Sequence, residues 1–262
     1  MRTDYHTHST YSDGSFLQWM VGAAEQAGFE AVGISDHCNV CPAPEHVGRK
    51  KLMGFNLDET YHRRREAIES VRRRADIDVY DAVEMDFEIG AEAAIERFLS
   101  TAEFDYAIGS VHFLDGVNAH STSHFSSKSR AAREADVEAY FEKLVALADS
   151  ELFEIAAHPD LVERNPALRG LATREHYDRA AAAFADSRTV PELNAGRVLD
   201  EYGTLPPAPE FLDALAERGV AVSVGTDSHQ PETIAPRVER LEAELTERGL
   251  ESVQLVNELG VN

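Results

Sequence analysis

Nine side chains able to hold a metal ion stand in order along this chain: His6, His8, Asp13, His37, Glu84, His112, His158, Asp227 and His229. Nearly every one falls at the end of an apolar run. Six of the 11 histidines are used in this way. Imidazole with carboxylate is the donor set of zinc, iron and manganese, and nine donors exceed what one tetrahedral or octahedral ion takes. The arithmetic points to two or three divalent ions sharing carboxylates, an arrangement used most often to hydrolyse phosphate esters. A lone histidine beside an apolar strand is usually a core or surface residue, so the joint pattern carries the argument. His6 and His8 are two apart on an apparent strand and so share a face; Asp227 and His229 repeat that spacing near the other end of the chain.

The elements that must position these residues alternate from end to end. Strands are expected at Arg2–Tyr5, Ala31–Ser35, Val79–Val83, Tyr106–Val111, Phe153–Ala157, Val190–Leu193 and Val220–Val224, with an eighth near Ser252–Val256. Helices are expected at Phe16–Ala27, Leu57–Ala75, Ala91–Thr101, Arg130–Asp149, Arg174–Ala185 and Pro209–Arg218; in the last, Phe211, Leu212, Leu215 and Ala216 fall on one helical face. Strands separated by helices imply parallel βα units. In a barrel of such units the carboxyl ends of all strands converge on one face. His6 and His8 end the first strand, and His37, Glu84, His112, His158 and the Asp227/His229 pair follow later ones. Asp13 lies in the first βα loop. Ligands far apart in sequence thereby become neighbours.

Length and composition fit this scheme. The chain has 262 residues, 43% of them hydrophobic, and an α/β barrel takes about 250. No apolar run is long enough to cross a membrane and the N-terminus, MRTDYHTHS, enters a strand directly, so a cytoplasmic enzyme is expected. Cys38 and Cys41 form a lone C-x-x-C, too few thiols for a disulfide framework or a four-sulfur zinc site; a redox role and simple packing both remain open. The net charge of −22 disfavours a nucleic-acid partner, because phosphate backbones need clustered Lys and Arg. The runs Arg63–Arg65 and Arg72–Arg74 lie among acids and read as a solvated helix face. Only four lysines are present against 47 acids. Such a surface stays dispersed at high ionic strength, where screening lengths shrink to about 3 Å at 1 M salt, and suggests a salt-loving source.

The chain resembles the PHP family (polymerase and histidinol phosphatase domains) over essentially its whole length. The resemblance rests on His6-Thr7-His8-Ser9, Asp36-His37, Glu84-Met85-Asp86, Gly109-Ser110-Val111-His112, His158-Pro159-Asp160 and Gly225-Thr226-Asp227-Ser228-His229. The segments 105–113 and Glu192-Leu193-Asn194-Ala195-Gly196 are most similar to the histidinol-phosphatase branch. The resemblance implies one domain over 1–262, a distorted (β/α)7 TIM-like barrel, and up to three divalent ions (Zn, Mn or Fe). It implies that His6, His8, Glu84 and Asp227 hold one ion, that Glu84, His112 and His158 hold a second with Glu84 bridging, and that Asp13, His37 and His229 hold a third. The substrate so implied is a small phosphate ester, L-histidinol phosphate first. The alternatives are nucleotides or other phosphorylated metabolites, and a catalytically silent module associated with a polymerase; the complete ligand set speaks against the last. After His112 the chain departs from the family's aromatic-rich turn, so the 114–129 segment is either a lid or an exposed loop.

Hydrolysis of a phosphate monoester depends on positioning and charge neutralisation. Water between two cations is deprotonated near neutral pH and attacks in line, while the cations hold the phosphoryl oxygens. Local cations also reconcile an anionic substrate with a protein of net charge −22. Arg197, just past Asn194 at the end of the sixth strand, is a candidate phosphate clamp, since a guanidinium meets two oxygens at once; the alternative is a surface pair with Asp200 or Glu201. Asn194 is placed with it on the substrate side. Asp36 is expected to orient an imidazole. Asp13 or His229 would help protonate the leaving alkoxide, and Asp86 and Asp160 either accept from a substrate ammonium or serve packing.

Overall fold

A computed structural model describes residues 1–200 and 202–255. The chain runs β1 (Thr3–Thr7), α1 (Leu17–Gln26), β2 (Ala31–Ile34), β3 (His37–Cys38), α2 (Pro44–Met53), α3 (Leu57–Arg72), β4 (Asp78–Asp86), α4 (Glu92–Ala102) and β5 (Tyr106–Ser110). A hairpin, β6 (Phe113–Leu114) with β7 (Val117–Asn118), and a short α5 (Thr122–Ser126) follow. Then come α6 (Arg130–Asp149), β8 (Ile155–Ala156), a single 3-10 turn (Leu161–Arg164), α7 (Arg174–Ala185), β9 (Val190–Asn194), α8 (Pro209–Ala216), β10 (Ser223–Gly225) and α9 (Pro231–Arg248).

Seven strands pair in parallel in the order β1-β2-β4-β5-β8-β9-β10, with β3 prolonging β2 along β4. This is the nearly closed barrel expected. Its last gap closes at the carboxyl ends, where Asp227 N donates to His6 O at 2.7 Å and His8 N to Ser228 O at 2.9 Å. Deeper down, the buried Asp4 clasps the same seam, accepting from Thr226 N at 2.9 Å, from the Thr226 hydroxyl at 2.5 Å and from Thr7 Oγ1 at 3.0 Å. Two of the ligand-bearing segments are therefore fastened directly to each other.

The strands are buried on both faces, as parallel sheets require. Tyr5, Ala82, Tyr106, Ile108, Ile155 and Ala157 form one cluster of strand and strand-end residues that fills the barrel beneath the site. Val32, Ile34, Leu17, Met20, Val21 and Ile68 seal α1 and α3 outside it, and a larger cluster does the same for α6, α7 and α8. Gly33 is required here, because a Cβ would lie 1.6 Å from the Tyr106 hydroxyl oxygen.

Several expected boundaries move. β1 reaches Thr7, so His6 lies inside the strand, and its register slips between Asp4 and Thr7; irregularities of this kind re-aim side chains beside active sites. Likewise Glu84 sits within β4 instead of after it. The 114–129 segment is ordered as a hairpin and α5. Helices α2 and α9 went unread. Among the residues of α2 only His46 is buried, so it lacks a periodic apolar stripe, and Pro236 inside α9 interrupts its pattern. Of the eighth strand, Ser252 makes one isolated bridge to Val222, and Val256 lies outside the described residues. Arg64 is fully buried, contrary to the solvated face expected of it; it bonds Asp36 Oδ2 at 3.1 Å and Asp81 Oδ1 at 2.6 Å. Among the described residues no helix is long and apolar enough to cross a membrane.

Candidate metal centre

All nine ligand candidates meet at the carboxyl end of the barrel, around Glu84. Its Oε1 lies 3.0 Å from His158 Nε2 and 3.4 Å from His112 Nε2. Its Oε2 faces the other side, 2.7 Å from His37 Nδ1, 3.5 Å from His6 Nε2 and 3.6 Å from His8 Nε2. One carboxylate thus presents one oxygen to each of two imidazole groups, as a bridging ligand must. Asp227 Oδ1 stands 3.4 Å from His8 Nε2 and 3.8 Å from His6 Nε2. Asp13 Oδ1 stands 3.3 Å from His229 Nε2 and 3.6 Å from His37 Nε2. Among the described residues, three sets have donor atoms within 4.8 Å of one another: His6, His8 and Asp227; His37, Glu84 and His112; and His8, Asp13, His37 and His229. His8 and His37 each stand at two of them.

The donors fit divalent cations on several independent grounds. His6 Nε2 and His8 Nε2 point at each other across 3.1 Å, a convergence of nitrogens that a cation would satisfy. The far nitrogen of His6 faces Glu192 Oε1 at 2.9 Å, and that of His112 faces Asp86 Oδ1 at 2.6 Å. His229 Nδ1 faces its partner, the Asp227 carbonyl, at 3.1 Å. A proton held on Nδ1 leaves the Nε2 lone pair free for metal. Glu84 Oε2 and His158 Nδ1 are buried without a well-formed hydrogen bond. His158 and Asp227 also hold left-handed backbone, with φ of 32° and 50°, a strain that collects at functional sites.

Electrostatics point the same way. Burial would raise the carboxyls of Glu84 and Asp227, yet the surrounding imidazoles (His37 and His112 for the first, His6 and His8 for the second) hold both well below their ordinary values. Burial would lower His37, but the charges of Glu84 and Asp13 push it up to about 10. His8 is lowered to about 4 by burial and by His229 and His37 beside it. The carboxylates draw positive charge from whatever can supply it, which is the field a divalent ion would meet.

The open cavity above the cluster measures about 400 Å³ and is walled by Phe55, Phe113, Asn118, His120, Arg164 and Arg197, among others. Arg197 is at its rim, half-exposed, and bonds Asp200 Oδ2 at 2.9 Å; Glu201 is outside the described residues. Asn194 does not line the cavity. It is buried beneath it, accepting from Arg164 and from Gly196 N at 2.7 Å and donating to Glu192 Oε2 at 2.7 Å. Asp160 is buried away from the cavity, accepting from Ala208 N, and burial pushes its carboxyl up to about 7. Asp86 lines the cavity with both oxygens engaged, by His112 and by Asn39 Nδ2 at 2.8 Å. Asp36 holds the first loop instead of an imidazole, accepting from Ser9 N at 2.6 Å and Ser12 Oγ at 2.8 Å. Cys38 and Cys41 are free, buried thiols, each pushed up by burial.

Two residues of consequence were not read from the sequence. Glu192 belongs to the Glu192–Gly196 motif, but its pairing with His6 arises only when β9 is brought beside β1 through β10. Arg164 lies buried in the cavity floor with its Nη1 3.5 Å from Asp227 Oδ2. Nothing in the aperiodic stretch around it marks it beforehand.

A parallel barrel with this cluster at its carboxyl face defines a metal-dependent hydrolase. The family model described as PHP domain matches residues 4–196, and the chain belongs to that family. A curated relative, a probable histidinol-phosphatase of Deinococcus radiodurans, is 26% identical over 227 residues, covering 86% of this chain and 82% of its own. Two solved structures share the fold. The histidinol phosphate phosphatase of Lactococcus lactis, in complex with Zn, L-histidinol and phosphate, superposes with a TM-score of 0.75 at 20% identity, covering 96% of this chain and 95% of its own. A putative histidinol phosphatase of Listeria monocytogenes also gives 0.75, at 18% identity, covering 89% and 97%.

Proposed function

We propose that the protein hydrolyses a small phosphate monoester, L-histidinol phosphate in the first instance, releasing L-histidinol and phosphate. The observation that carries this reading is the gathering of eight donor residues around a ninth, Glu84, with a buried guanidinium, Arg164, beside them in one open cavity. The relatives of that name extend it to the particular ester. His6, His8, Glu84 and Asp227 would hold one ion; Glu84, His112 and His158 a second; Asp13, His37 and His229 a third, with His8 within reach of it. Bound divalent cations, Zn first and Mn or Fe as alternatives, would neutralise the phosphoryl oxygens and activate water for attack.

The chain's own groups do the rest. Arg164 in the floor and Arg197 at the rim bracket the cavity and would grip phosphoryl oxygens. Asn194 contributes indirectly, by holding the Arg164 head from below. Asp13 and His229 are the ligands most open to the mouth, with side chains 41% and 32% exposed, which is where an alkoxide leaving group would take up its proton. Glu84, fully enclosed, positions and does not exchange protons. A single barrel over 1–262 acting in the cytoplasm, without nucleic acid, completes the reading. Its surplus of acid would suit a salty interior.

The test is phosphate release from histidinol phosphate, an aryl phosphate and a nucleoside monophosphate, with Zn, Mn and Fe supplied separately. A specificity constant for histidinol phosphate well above the others supports the assignment. Equal constants favour a general phosphoesterase, and no turnover with any metal refutes the reading.

A further inference from the structure

Beside the active cavity lies a second space of about 450 Å³, a surface groove lined by Cys41, Ala43, Glu88, Ile89, Gly90 and Asp115 among others. Of the residues that line the two spaces, His46 alone is common to both. It is buried, 4% exposed, though it belongs to a helix whose other residues are not. Its ring is held on three sides. Nδ1 is 3.1 Å from Asn39 Nδ2, Nε2 is 3.3 Å from Glu88 Oε2, and the ring stands edge-on to Phe113 with centroids 5.3 Å apart. The wall around it is equally fastened. Arg49 donates to the Gly116 carbonyl and lies over the Phe113 ring, tying α2 to the hairpin. Lys143 bonds Glu88 Oε1 at 2.6 Å and the Phe113 carbonyl at 3.0 Å.

We propose that His46 is the partition that limits how large an alcohol the active cavity accepts, and that the groove behind it is the space a longer phosphate ester would enter. The inference rests on the phosphomonoesterase reading for its substrates, but its physical content is steric. A rigid imidazole wedged between two cavities sets the depth of one of them, and the residues that hold it, Asn39, Glu88 and Phe113, are not among the candidate metal ligands. Shortening the side chain joins the two spaces, whereas a ring of similar size keeps them apart whatever its hydrogen bonding.

The experiment compares His46→Ala and His46→Phe with the parent protein, loaded with Zn. The first readout is the ratio of kcat/KM for 2-naphthyl phosphate to that for phenyl phosphate. The second, independent of turnover, is the ratio of binding constants for 2-naphthylphosphonate and phenylphosphonate. His46→Ala should raise both ratios on the order of tenfold, the lower end of what apolar groups contribute in a pocket, while His46→Phe leaves them at the parental value. A crystal structure of His46→Ala should show one continuous cavity. Unchanged ratios in His46→Ala, or the same rise in His46→Phe, overturn the proposal. So does loss of bound metal in His46→Ala, which would make His46 a support for His112 through Asn39 and Asp86. Should no ester be hydrolysed at all, the functional reading fails while the phosphonate ratios still decide the partition.

Discussion

Glu192→Gln changes one atom in a residue that no cation would touch, and it should weaken metal binding. Glu192 is fully buried and accepts from three directions: His6 Nδ1 at 2.9 Å, His158 N at 3.1 Å and Asn194 Nδ2 at 2.7 Å. A glutamine has one accepting oxygen. Turned toward His6, it sets its amide hydrogens against two N–H donors. Turned the other way, it keeps two bonds of the three and presents N–H to His6 Nδ1. The second arrangement wins, and His6 must then accept at Nδ1 and carry its proton on Nε2. That is the nitrogen aimed at His8 and Glu84. Metal binding must now displace that proton or restore a donor clash. Loss of such a supporting carboxylate costs about 10- to 100-fold in metal affinity, or about 1.4–2.7 kcal/mol. The assay is competition for Zn with a chelator, with ¹⁵N imidazole spectra of the metal-free protein to read the His6 tautomer. Activity should return in part at saturating metal, with the circular dichroism of the fold unchanged. Parental Zn affinity together with a proton still on Nδ1 would refute the argument.

Arg64→Met leaves the buried Asp36 without its guanidinium, while Asp81 keeps only that of Arg65, whose Nε lies 2.7 Å away; the cost should be about 3–5 kcal/mol, measured by urea unfolding, and a loss under 1 kcal/mol would contradict the burial. Gly225→Ala would set a Cβ 2.0 Å from Glu192 Oε1 and 2.5 Å from His6 Cβ. It should lower both metal content and stability, the latter by about 1–3 kcal/mol; a variant with full metal content would show that the wall yields. Glu163 is raised above its ordinary 4.5 by burial, so the folded state holds its proton more tightly than the unfolded chain does. Its contribution is present below that ordinary value and lost as pH climbs through the raised one. Glu163→Gln should flatten this decline, and an unchanged slope of unfolding midpoint against pH would exclude it.

Much of the site was legible because metal chemistry restricts residue type. Few side chains bind divalent ions, and in a parallel barrel the end of a strand is also a place in space. His6 through His229 could therefore be named before any contact was known. The helices that pack by an apolar stripe, such as α8, were legible for a similar reason: periodicity is local. What failed was information not carried locally. α2 is a polar helix whose one buried residue faces a cavity, and its position depends on Arg49 reaching the hairpin. Arg64 reads as one more charge in a basic run until Asp36 and Asp81 close on it. Asn194 and Asp160 stand beside promising motifs, yet their side chains turn under the floor of the site. Arg164, in a stretch without periodicity, is delivered to the cavity by the 3-10 turn after His158. Donor type and strand order are properties of the chain. Which carboxylate fixes which imidazole, and which charge is buried beside which, are decided by contacts between segments far apart in sequence, and so exist only once the barrel has closed.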